Sequence, residues 1–94
     1  MLVIRNYFIC KPGNASKLAA QLKEAAAASK LGKYRVLTDL TGEFNRVVME
    51  YEAENIGEFE MRMKEYATNQ AMREKMKGYT DLYLTGSREI LQVA

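Results

Sequence analysis

A chain of 94 residues, 48% hydrophobic and 28% charged, has the composition of one globular domain spanning 1–94. At a net charge of +2, with no run of five basic residues, it lacks the electrostatic footprint of a nucleic-acid binder. Zero histidines and a single cysteine exclude an internal disulfide, a Cys/His nucleophile pair and the common zinc ligand sets, so no metal and no cofactor is expected. No stretch approaches the ~20 apolar residues of a membrane span, and a cytoplasmic protein is expected.

The first strand is expected over 2–11, from Leu2 to the turn dipeptide Pro12-Gly13. It is apolar on both sides: Leu2, Ile4, Phe8 and Cys10 alternate with Val3, Tyr7 and Ile9, broken only by Arg5 and Asn6. Asn14 is placed to cap a helix over 15–30 with Leu18, Leu22 and Ala25 on one stripe, and Gly32 is placed to end it. A second strand over 33–41 alternates Tyr34, Val36 and Thr38 with Arg35, Leu37 and Asp39. Thr41-Gly42-Glu43 then turns into a third strand over 45–53.

Asn55 followed by Glu58 marks the start of a second helix, whose inward stripe reads Ile56, Phe59, Met63 and Tyr66. Thr68-Asn69 predicts a break, after which Met72 and Met76 continue the stripe to Gly78. A fourth strand starts near Tyr79 and is interrupted at Gly86-Ser87, as a bulge would do. The order βαββαβ is the ferredoxin-like α+β pattern, with an antiparallel sheet in order 4-1-3-2 and both helices on one face.

Two helices cover one face of such a sheet. The more apolar face, with Leu2, Ile4, Phe8, Val47, Met49, Leu82 and Leu84 around Asn6, Tyr34 and Tyr51, belongs under them. The other face collects Arg5, Tyr7, Arg35, Leu37, Val48, Glu50 and Tyr83, with Val3, Ile9, Asp39 and Glu52. In order 4-1-3-2, Arg5 neighbours Glu50, and Glu50 neighbours Arg35 or Asp39, so opposite charges meet across strands. This face is too apolar for solvent, and a twofold-related copy is expected to cover it, giving a homodimer.

The strand leading into Lys11-Pro12-Gly13, the Gly42 hairpin into Asn45-Arg46-Val47-Val48-Met49-Glu50-Tyr51-Glu52, and the closing Gly86-Ser87-Arg88-Glu89-Ile90-Leu91 resemble the NIPSNAP-like branch of the dimeric α+β barrel superfamily, which also holds the antibiotic-biosynthesis monooxygenase-like proteins. The resemblance implies two sheets closing a barrel between subunits and a ligand cleft between each sheet and its own helices. Activity does not transfer with the fold, since members range from metal-free oxidation of polyketide aromatics to haem degradation to no assigned activity. The haem-degrading scheme also uses a histidine and a tryptophan, and this chain has neither.

Within the implied cleft the candidate ligand contacts are Asn6, Phe8, Tyr51, Phe59, Met63 and Tyr66. Asn6 is an amide on an apolar face, and beside a tyrosine it can hold a substrate oxygen. Its plain alternative is a buried amide satisfying the backbone. For the tyrosines, and for the methionines of the second helix, packing is the expected role and ligand contact the alternative. Three functions compete: a dimeric protein binding a small apolar or aromatic metabolite, a cofactor-independent oxygenase acting on an aromatic or quinone, and a ligand-sensing or protein-interaction module.

Overall fold

The computed structural model describes residues 1–94 and orders them as β1 (Leu2–Cys10), α1 (Ala15–Ala27), β2 (Arg35–Thr38), β3 (Arg46–Ala53), α2 (Ile56–Thr68), α3 (Gln70–Lys75), a 3-10 turn (Tyr79–Asp81) and β4 (Tyr83–Gln92). The four strands form one antiparallel sheet in the order β2-β3-β1-β4, which is the expected arrangement read from its other edge. At 18 Å along its short axis the molecule is one sheet and one layer of helices.

Local chemistry explains most boundaries. Pro12-Gly13 ends β1, with Gly13 at φ 84°, a conformation that glycine adopts without strain. Asn14 does not cap α1 with its side chain; its carbonyl accepts the Leu18 N–H at 3.0 Å and its N–H donates to the Lys11 carbonyl at 3.0 Å. The helix stops at Ala27, short of Gly32, because the N–H groups of Ala28 and Ser29 close a tighter last turn on Ala25 and Ala26. Gly32 has a different role. A Cβ there would lie 2.5 Å from Nη1 of Arg62, so the missing side chain makes room for that guanidinium.

The start of α2 is reciprocal. Asn55 Oδ1 accepts the Glu58 N–H at 2.9 Å, and the Glu58 carboxylate accepts the Glu54 N–H at 2.9 Å. The break at Thr68-Asn69 is real. Asn69 ends α2 by donating its N–H to the Glu65 carbonyl at 2.7 Å, and its Oδ1 caps α3 through the Met72 N–H at 3.1 Å. Its Nδ2 reaches the Ala28 carbonyl at 3.0 Å, which ties the break to the end of α1.

The core lies under the helices. Cys10, Leu18, Leu22, Ala25, Val47 and Met76 form its larger cluster, and Ile4, Tyr51 and Ala53 a smaller one. Four expectations fail here. The second strand is four residues, Arg35–Thr38, because the Asp39 carboxylate accepts two hydrogen bonds from Arg46, both at 2.9 Å, and holds 39–45 as a loop. In α2 the buried side chains are Arg62 and Glu65, whereas Ile56, Met63 and Tyr66 are exposed in part. The sheet irregularity falls opposite Ile9 and Cys10, not at Gly86-Ser87, where β4 runs on unbroken. Ile9 pairs with Thr85 and Cys10 with Tyr83, so Leu84 is the extra residue and is exposed. That extra residue turns Tyr83 onto the helix face, edge-on to Phe8 at 5.2 Å, and not onto the open face where the alternation had placed it.

Candidate functional site

Between the helix face of the sheet and the α2–α3 layer lies an open cavity of about 510 Å³, within the size range of small-molecule sites. Its floor is made by alternate residues of β1, β3 and β4, where cross-strand register places Asn6 beside Met49 and Arg88, and Phe8 beside Gly86. Gly86 matters because a Cβ there would point among Phe8, Tyr83 and the Tyr7 carbonyl, so its absence keeps the floor low. The helices contribute Arg62, Met63, Tyr66, Met72 and Met76.

Of the expected ligand contacts, Asn6, Phe8, Tyr51, Met63 and Tyr66 come together around this cavity. Phe59 stands outside its lining and packs against the smaller core cluster, under the Arg88 guanidinium at 5.6 Å. Asn6 is 8% exposed, and its Oδ1 accepts from Arg88 Nε at 2.7 Å. Two arginines that the sequence reading passed over, Arg62 and Arg88, are the only charged residues in the lining. Arg62 is 3% exposed, clasped between the rings of Tyr34 at 4.4 Å and Tyr51 at 4.6 Å. Its hydrogen bonds, to Tyr34 Oη and the carbonyls of Glu52 and Lys33, are all 3.4 Å.

Burial pushes the Tyr51 phenol above its ordinary pKa, aided by Tyr34, while Arg88 and Arg62 pull the other way. Burial likewise raises the Tyr79 and Tyr83 phenols and the Cys10 thiol. These groups are therefore protonated near neutrality. Cys10 is a core residue without the electropositive setting of a nucleophile.

The opposite sheet face carries Arg5, Tyr7, Arg35, Leu37, Val48 and Glu50 as expected, and no helix of this chain covers it. Its centre is Glu50, which accepts from Arg5 Nε at 2.8 Å and from Arg35 Nε at 3.0 Å, with Arg35 Nη2 closer still. Hydrogen bonds from Arg35 and then Arg5 hold the Glu50 carboxyl below the usual carboxylate range. A lowered folded-state pKa stabilises above the unfolded glutamate pKa, and the gain disappears as pH falls through the folded value. Glu50→Gln is thus expected to lower the urea midpoint at pH 7, with the gap to the parent chain narrowing towards pH 3. An equal gap at both pH values would contradict the pairing.

The fold and cleft together define a ferredoxin-like α+β domain with an open helix–sheet cavity. No protein-family model matches the chain, and no curated protein matches it. Solved structures do. An uncharacterized NIPSNAP-like domain protein from Burkholderia xenovorans superposes with a TM-score of 0.84 at 19% identity, over 99% of this chain and 84% of that one. A NIPSNAP family protein from Agrobacterium tumefaciens gives 0.86 at 14% identity, over 99% and 92%. An antibiotic biosynthesis monooxygenase gives 0.74 at 10% identity, over 100% and 99%. The single-chain ferredoxin-like α+β fold that the sequence resemblance implied is therefore the fold of this chain.

Proposed function

We propose that this chain is a NIPSNAP-like protein that binds a small apolar or aromatic metabolite in its helix–sheet cleft and works as a homodimer joined through the open sheet faces. The observation that carries the reading is the cavity itself: it is open, mostly apolar, and provided with hydrogen-bond donors at Asn6, Arg88 and several tyrosines. Binding is favoured over the oxygenase alternative by what lines the space. No histidine, cysteine, aspartate or glutamate does so, and burial raises the pKa of Tyr51, Tyr79 and Tyr83, which makes them poor proton acceptors near neutrality.

Thermal unfolding in the presence of quinones, flavonoids and fatty acids tests the binding reading. A ligand at about 100 times its Kd adds about 2.7 kcal/mol, a rise of roughly 10 °C or more for a domain of this size. No rise with any member of the set would contradict it. Light scattering at micromolar concentration tests the assembly: twice the monomer mass is expected, and a monomer would contradict the dimer.

A further inference from the structure

The polar side chains of the cavity can all donate, its tyrosine and Ser87 hydroxyls accepting as well, and its charge is of one sign. Arg62 and Arg88 line it and no carboxylate does. Neither arginine has a carboxylate oxygen within 4.0 Å; the four ion pairs of the molecule join Arg5, Arg35 and Arg46 to Glu50, Glu89 and Asp39. Glu65, the buried acid nearest in sequence to Arg62, has its oxygens engaged by the Ser29 hydroxyl at 2.7 Å and the Lys30 N–H at 2.6 Å.

Asn6 sharpens this. An arginine donates only, so the oxygen of the Asn6 amide must be the atom facing Arg88. The Nδ2 group of Asn6 is left with no protein acceptor, and neither Nη group of Arg88 has one. These donors belong to two adjacent residues of the cavity floor and are open to solvent, Arg88 being exposed and tethered by its Nε–H to Asn6. A planar guanidinium with unused Nη donors matches a carboxylate better than any single oxygen. The rest of the lining is largely aromatic and thioether, with Tyr66, Tyr79, Tyr83, Met72 and Met76.

We infer that the cleft takes a small aromatic carboxylate, its ring system against the tyrosines and methionines and its carboxylate on Arg88 and Asn6, with the buried charge of Arg62 adding to the attraction. This rests on the cleft being a ligand site and names the class of ligand.

Isothermal titration with benzoate, 2-naphthoate and 9-anthracenecarboxylate, each beside its uncharged amide, tests it. At least one acid is expected to bind at least tenfold tighter than its amide, as a charge-assisted hydrogen bond would give. Arg88→Gln is expected to abolish the preference for that acid over its amide, with Arg88→Lys restoring only part of it. Equal binding of acid and amide overturns the carboxylate inference and leaves the cleft reading standing. Tighter binding of 2-naphthol than of 2-naphthoate does the same and moves the ligand class to phenols. Tight acid binding that survives Arg88→Gln overturns the assignment of Arg88. No binding by any acid or amide overturns both readings.

Discussion

Glu65→Ala is expected to lower the stability of the chain by about 2–3 kcal/mol. Glu65 is 8% exposed on α2 and acts at a distance from its own helix. Its carboxylate accepts from the Ser29 hydroxyl and the Lys30 N–H, fastening α2 to the segment that leaves α1. Truncation strands both donors and removes a carboxylate that Arg62 helps to keep ionised. Burial alone would raise the Glu65 pKa, but the hydrogen bonds from Ser29 and Lys30, with Arg62, outweigh it and hold the carboxyl below its ordinary value. The contribution is therefore full above the unfolded glutamate pKa and fades as pH falls through the folded one. Urea unfolding at pH 7 and pH 3 reads this directly. Glu65→Gln, which keeps an acceptor, is expected to cost about 1 kcal/mol. A loss in Glu65→Ala below that of Glu65→Gln would contradict the account.

Gly86→Leu is expected to abolish ligand binding, by about 100-fold or more, with a stability change of only about 1 kcal/mol. The new Cβ would stand 3.1 Å from the Tyr7 carbonyl oxygen, 3.8 Å from Phe8 Cδ1 and 3.9 Å from Tyr83 Cε2. The first contact is tight and the other two are ordinary, so the strand must give by a few tenths of an ångström. The rest of the side chain is then directed towards Phe8 and Tyr83, both of which line the cavity. Gly86→Ala shares the tight contact without the bulk and is expected to bind within about threefold of the parent, since a single methyl in an apolar pocket changes little. Titration of both variants with a ligand that raises the melting temperature separates obstruction from strain. Equal loss in the two would place the effect in the strand.

The expected features that hold are those set by backbone chemistry over a few residues. Pro12-Gly13, the Asn55–Glu58 pair and the Thr68-Asn69 break each act through groups close in sequence, and each stands in the structure. The pairing of Arg5 with Glu50 followed from strand order and alternation, and the register aligns those two residues. What failed depends on distant partners. Arg62 reads as a solvated helix position, and only the rings of Tyr34 and Tyr51, from other elements, make it a buried one. Gly32 reads as a helix terminator until that guanidinium is seen against it. Arg88 was hidden by the assumption that Gly86-Ser87 interrupts β4. An unbroken strand puts Arg88 two residues beyond Gly86 on the same face, next to Asn6, a signal that period-two alternation carried all along. The misplacement of Tyr83 has the mirror cause, since the extra residue, Leu84, lies two residues earlier than Gly86 and inverts the alternation there.

Six methionines supply the most direct test of the cleft as a ligand site. Met49, Met63, Met72 and Met76 line it, while Met1 and Met61 are exposed elsewhere. In carbon–proton spectra of methyl-labelled protein, an aromatic ligand is expected to shift the first four methyl signals by ring current and to leave the other two in place. Shifts confined to Met1 and Met61, or none at saturating ligand, would contradict the account.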